Sequence, residues 1–87
     1  MPYLLCRQRV TDFAQWKAVF ESHATAQREA GLHVRQVWRN VDDADELFML
    51  FEVTDITKAR SFVASPDILK AVEESGALGR ADLYFLE

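Results

Sequence analysis

Between Tyr3 and Glu87 the spacing of apolar residues switches between every second position and every third or fourth, giving an order of extended, helical, extended, extended, helical, extended. Residues Tyr3 to Val10 alternate, with Leu4, Cys6, Gln8 and Val10 on one side and Tyr3, Leu5, Arg7 and Arg9 on the other, which predicts a strand. Asp12 offers a helix cap with Gln15 three residues on, good helix formers run to Ala30, and Gly31 supplies a left-handed stop. A first helix is therefore expected over residues 12–30. Leu32 to Asn40 alternates again. After the polar stretch Val41-Asp42-Asp43-Ala44-Asp45, the apolar run Glu46 to Thr54 reads as its hairpin partner. Asp55 caps a second helix through Ala64, and Ser65-Pro66 restarts it until Gly76, so this helix is expected in two pieces. Gly76-Ala77-Leu78-Gly79 reads as a turn into a last strand, Arg80 to Glu87.

That order is the split βαβ arrangement of the ferredoxin-like fold, an α+β architecture. Its four-stranded antiparallel sheet runs 4-1-3-2, with both helices on one face. One face of every strand can be apolar at once. Leu4, Cys6 and Val10, then Val34 and Trp38, then Leu47, Met49, Phe51 and Val53, then Ala81, Leu83 and Phe85 form it, and this face is assigned to the helices. With 87 residues, 49% of them hydrophobic, and only three Gly and two Pro, the chain is expected to be one domain over residues 1–87.

Composition excludes several classes of partner. A formal charge of −4 leaves no long-range positive field to gather phosphates, so nucleic acid is not expected. The longest apolar run, Leu47 to Phe51, falls far short of the ~20 residues of a membrane span. Met1-Pro2-Tyr3 lacks a basic leader, so a cytoplasmic protein without membrane contact is expected. A single cysteine cannot form an internal disulfide, and Cys6, His23 and His33 share no metal-ligand spacing; neither metal nor cofactor is expected.

The opposite sheet face is harder to leave in water. It is expected to carry Tyr3, Leu5, Val37, Phe48, Leu50, Tyr84 and Leu86 beside Arg7, Arg9, Arg35, Arg39 and Glu52. Two readings fit, a solvent face with scattered apolar residues and a homodimer packed sheet to sheet, and the second also supplies burial that a small core lacks. Glu52 is placed between the arginines of the first and second strands, able to pair within the sheet or across it.

Helical projection puts Phe13, Trp16, Val19, Phe20 and Ala30 on one face of the first helix, together with two polar residues, His23 and Gln27. A histidine aimed at the sheet is placed to act as a general base or a hydrogen-bonding anchor. Gln8 and Gln36 answer from the sheet, near Trp38 and Cys6. Unpaired buried amides are costly, so these four polar residues must satisfy one another, hold water, or meet a ligand. A pocket between sheet and helices follows if they meet a ligand, with His23 as the catalytic candidate and Gln8, Trp16, Phe20, Gln27, Gln36 and Trp38 as its lining. A self-satisfied polar cluster follows otherwise. Cys6 reads as inert packing, His33 as a rim residue, and the acidic loop at Asp42, Asp43, Asp45 and Glu46 as a hairpin turn without calcium-loop spacing.

The segment from Val10 to His23, followed by Arg28-Glu29-Ala30-Gly31-Leu32, resembles the first helix of small bacterial proteins of the dimeric α/β-barrel superfamily, relatives of the antibiotic-biosynthesis monooxygenase domain. Leu50-Phe51-Glu52-Val53 and the ending from Ala81 to Glu87 resemble it too. The resemblance implies a ferredoxin-like subunit whose sheet pairs with a second one. It also implies a superfamily of several chemistries, including cofactor-independent oxygenases acting on polycyclic phenols, haem-degrading enzymes, isomerases, cyclases and non-catalytic binding modules. It carries over His23 as a pocket histidine and Trp16 as a wall. At position 8, where relatives often hold histidine, this chain has Gln8, which cannot act as a base. Two functions follow: an oxygenase- or isomerase-type enzyme acting on an aromatic or polyketide-type substrate with His23 as base, or a dimeric ligand-binding or stress-associated module in which His23 is structural.

Overall fold

The computed structural model describes residues 2–87. Strands β1 (Tyr3–Val10), β2 (Leu32–Arg39), β3 (Glu46–Val53) and β4 (Ala77–Leu86) form one antiparallel sheet in the order β2-β3-β1-β4, which is the expected order read from its other edge. Helices α1 (Phe13–Ser22), α2 (Ala24–Glu29), α3 (Ile56–Val63) and α4 (Pro66–Glu74) cover one face. Trp16 and Ala59 from these helices join Leu4, Cys6, Val10, Leu47, Met49, Phe51 and Val53 from the sheet in a single core.

The caps work as their chemistry predicts. The Asp12 carboxylate accepts from the backbone N–H of Ala14 (2.9 Å) and Gln15 (3.3 Å), and Asp55 does the same for Lys58 (3.0 Å). Ser65 Oγ accepts from Ile68 N–H, with Pro66 at the first position of α4, so the second helix is broken where expected. Gly31 ends the first helical region at φ +80°, and a Cβ there would stand 2.9 Å from Thr54 Oγ1 and 3.0 Å from Asp55 N. Both backbone sign and space therefore demand glycine.

Three expectations need correction. The first helix is not continuous over residues 12–30 but breaks at His23, whose φ and ψ are −101° and 9°. The cause is local competition for one carbonyl. Ser22 Oγ donates to Val19 O at 2.6 Å and the His23 ring reaches the same oxygen at 2.9 Å, while His23 N–H turns to Phe20 O at 3.2 Å. Side chains take the place of the next backbone donor, and the helix tightens and restarts as α2.

The second correction concerns β2. Val34 faces Phe51 but Gln36 faces Leu50, so Arg35 is an extra residue, a bulge that reverses every side chain after it. Leu50 and Phe48 lie on the open face, because β3 buries Leu47, Met49, Phe51 and Val53 in strict alternation. Gln36 and Trp38 therefore stand on the open face, not the helix side. Val37 and Arg39, expected outside, turn inward; Val37 packs on the core and the Arg39 guanidinium lies 4.4 Å over the Phe13 ring.

The third lies in β4, which begins at Ala77 rather than Arg80. Arg7 faces Asp82 while Arg9 faces Leu78, so the extra residues of an irregular stretch are absorbed between them, where Gly79 sits at φ +74°. Ala77-Leu78-Gly79 is thus strand, not turn.

Candidate functional site

Aromatic packing builds one wall of the candidate site. Along α1 the Phe13, Trp16 and Phe20 rings stack at centroid distances of 5.9 and 4.7 Å, and Phe20 meets Phe51 of the sheet at 6.0 Å. The i, i+3 and i+4 spacing of these rings makes this ladder possible. Trp16, Val19, Phe20, His23 and Gln27 face a cleft of about 90 Å³. The opposite wall is Phe62 of α3 with Ile68, Ala71, Val72 and Ser75. The cleft thus lies between the two helix pairs rather than between helices and sheet.

His23 is positioned by its own helix. Val19 O can only accept, so the ring nitrogen facing it, Nδ1, carries the hydrogen; Ser22 Oγ lies 3.1 Å from the same nitrogen. In the neutral ring Nε2 then carries the lone pair, and it has no protein partner among the described residues. That is the tautomer a general base requires. The arrangement also ends α1, so the same ring serves as a terminus and as a reactive group.

Four of the residues singled out from sequence come together here: Trp16, Phe20, His23 and Gln27. The other three do not. Gln36 and Trp38 are on the open sheet face for the reason given above. Gln8, 4% exposed, is on the helix side but works in the sheet: its Nε2 donates to Arg9 O (2.8 Å) and Leu78 O (3.4 Å), bridging the β1–β4 irregularity. Its Oε1 is buried without a partner, the only such side-chain atom among the described residues. The opposing wall was within reach of sequence reasoning, since Ile68, Ala71, Val72 and Ser75 recur at i, i+3, i+4 and i+7. The Ser22 and Val19 contribution carries no comparable signal.

Gln27 is 7% exposed and forms no side-chain hydrogen bond among the described residues. With Phe20 it separates the first cleft from a second one of about 460 Å³, which lies between α2 and β2. Cys6 is not a nucleophile in either: burial pushes its thiol up to about 12. Among the described residues no group of three or more His, Cys, Asp or Glu side chains is placed to hold a metal. Among the described residues no helix is long and apolar enough to cross a membrane.

The open face carries its charges in pairs. Arg35 pairs with Glu52, Arg7 Nε lies 3.4 Å from both Glu46 and Asp82, and Arg9 pairs with Asp43. Glu52 therefore neutralises the second strand alone and does not bridge to the first. Between the pairs, Tyr3, Trp38, Tyr84 and Leu86 are 37%, 46%, 52% and 46% exposed.

No family model matches the chain, and a search of curated proteins finds no relative. Solved structures do match. A candidate antibiotic biosynthesis monooxygenase from Bordetella bronchiseptica superposes with a TM-score of 0.79 at 12% identity, over 99% of this chain and 94% of that one. A variant of SnoaB, a cofactor-independent oxygenase from Streptomyces nogalater, gives 0.69 at 18% identity, covering 95% and 89%. An uncharacterised NIPSNAP domain protein from Burkholderia xenovorans gives 0.65 at 12% identity, covering 100% and 93%. At these identities the likeness concerns architecture, and the chain has the ferredoxin-like fold of the antibiotic biosynthesis monooxygenase-like proteins.

Proposed function

We propose that the protein is a cytoplasmic homodimer and a cofactor-independent, monooxygenase-like enzyme acting on a small aromatic or polyketide-type substrate, with His23 as its base. The observation that carries this reading is the His23 ring. Nδ1–H is fixed on Val19 O, and the Nε2 lone pair is free beside an aromatic cleft. Nε2 takes a proton from a phenol or from a carbon next to a carbonyl. The resulting anion passes an electron to O2, the two radicals combine at carbon, and loss of water from the hydroperoxide leaves a new carbonyl. One CH2 and one O2 thus give one C=O and one H2O. Trp16 and Phe20 form the apolar wall, and the Gln27 amide donates to the developing oxyanion. Gln8, Gln36 and Trp38 have no part in it.

The dimer rests on the open face. Its charges are already neutralised in pairs, so apolar Tyr3, Leu5, Phe48, Leu50, Trp38 and Tyr84 can meet a second copy without stranding an ion. An isologous interface of about 1,200–2,000 Å² is expected, and native mass spectrometry reads it directly.

A second reading, a module without catalysis in which His23 is structural, is favoured by the volume of the His23 cleft. About 90 Å³ is below the roughly 300 Å³ at which organic-ligand pockets begin, so a polycyclic substrate requires the two helix pairs to part. Oxygen uptake with an anthrone separates the readings. His23→Ala is expected to lower the rate by about a hundredfold or more. Its stability should change little, because the Ser22 hydroxyl still serves Val19 O. Uptake no faster than autoxidation, or unchanged in the variant, rejects the enzymatic reading.

A further inference from the structure

We infer that the cleft between α2 and the free edge of β2 is a separate binding site for a small organic acid, an apolar body carrying one carboxylate. The inference goes beyond the His23 reading and does not rest on it.

The cleft of about 460 Å³ falls within the range that holds small organic ligands. Phe20, Leu32 and Val34 give it apolar surface, and Val34 is 43% exposed although it lies on the helix side of the sheet. Two local events shape the space: the break at His23 sets α2 apart from α1, and the bulge at Arg35 displaces the edge of β2. Since β2 is an outer strand, nothing in the sheet fills the gap.

The polar groups specify the ligand. Gln27 is more than nine-tenths buried, lines this cleft, and has no side-chain partner among the described residues. Its amide atoms are not sealed off, since Gln8 Oε1 is the one buried orphan among the described residues; they open to the clefts, where a ligand acceptor can take the place of water. The first cleft, which Gln27 also borders, has room for about three waters, so an organic anion enters it only if the helix pairs part.

Among the charged lining residues, the others are already engaged. Arg35 is held by Glu52, and Glu21 lies 3.7 Å from Lys17. Arg28 forms no ion pair among the described residues, and its one contact, Nη2 to Thr25 Oγ1, is long at 3.4 Å. One available guanidinium beside one donor amide suits a planar monoanion. A phosphate dianion would call for a second free cation, and a ligand amine would find no free carboxylate.

The test uses the full chain, 15N-labelled, titrated with 1-naphthoate, with neutral 1-naphthol and with phenyl phosphate. Naphthoate is expected to shift saturably the amides of Ala24, Arg28, His33 and Val34 and the Gln27 side-chain NH2. Arg28→Gln should weaken it about tenfold, as should replacing naphthoate by naphthol. Gln27→Leu, which keeps the volume, should also weaken it, and His23→Ala should leave it unchanged. The spectrum of each variant reports its fold. The absence of a saturable shift at millimolar naphthoate overturns the inference, as does naphthol binding equally well. Phenyl phosphate binding more tightly also overturns it and reassigns the cleft to phosphate. Shifts confined to Ile68–Ser75, or lost in His23→Ala, place the acid in the His23 cleft and refute a separate site while leaving the enzymatic reading standing.

Discussion

The two central strands and the two edge strands are patterned alike in sequence, yet they behave differently. β1 and β3 face each other without a slip from Tyr3 opposite Glu52 to Arg9 opposite Glu46, and β3 alternates between buried and half-buried throughout. β2 and β4 each carry an irregularity against the same partners, and neither buries more than a few side chains. A strand flanked on both sides and covered by helices cannot move one residue without turning its whole apolar set to the wrong face. An edge strand loses little by such a shift, and so it can hold bulges. The lesson is that alternation predicts facing reliably only where burial enforces it.

The largest test of this contrast is a cavity. Leu47→Ala, at a fully buried position of β3, should cost about 3 kcal/mol, whereas Leu83→Ala, 40% exposed on β4, should cost less than about 1 kcal/mol. Urea unfolding of both variants decides it, and equal losses would erase the distinction. The junction of the two regions comes next. Gln8→Glu replaces the donor that bridges Arg9 O and Leu78 O with an oxygen that cannot donate when ionised. A loss of about 2 kcal/mol is expected at neutral pH, partly recovered under acid as the carboxyl gains a proton. Thermal unfolding at two pH values reads it.

Gly79→Ala tests the edge alone. A Cβ there would touch nothing within 4 Å, so only the left-handed backbone resists, and about 1 kcal/mol should be lost without any change in the core. A larger loss would mean that the irregularity is held by packing. The smallest effect belongs to Asp43, whose carboxyl is held below its ordinary value of 3.8 by the Arg9 guanidinium and the Asp45 N–H. A lowered pKa means a contribution present above the ordinary value and lost as the pH falls through the folded one. The stability difference between the parent and Asp43→Asn should therefore be slight at neutral pH and should disappear in acid below 3.8.

The same contrast explains what was legible in the sequence. Element order, strand order, the caps at Asp12, Asp55 and Ser65, and the inward positions of Leu4, Cys6, Val10, Leu47, Met49, Phe51 and Val53 follow from period and cap chemistry. Trp16, Phe20, His23 and Gln27 share a wall because i, i+4, i+7 and i+11 neighbours on one helical face must do so, and the small break at His23 leaves that face intact. Gln36 and Trp38 lie on the face opposite to the one their alternation predicts, because the bulge residue Arg35 carries no signal of its own; it is neither glycine nor proline, and the strand pattern continues through it. Gln8 lies on the helix side as its alternation predicts, and its Nε2 bridges the β1–β4 irregularity. The irregularity it bridges requires knowing where β4 begins, which a Gly-Ala-Leu-Gly stretch conceals.

Cys6 gives the molecule an internal clock. Its thiol lies on β1 beneath the helices, 5% exposed, and stays protonated until about pH 12. An alkylating reagent can reach it only after the helical layer lifts and the thiol regains its ordinary acidity. The rate at which a maleimide labels this single position, followed against reagent concentration, therefore measures how often the sheet and helices separate. If a ligand in either cleft ties the helix pairs together, labelling slows in proportion to its occupancy, and one sulfur atom reports binding without the need for a chromophore or an enzymatic turnover.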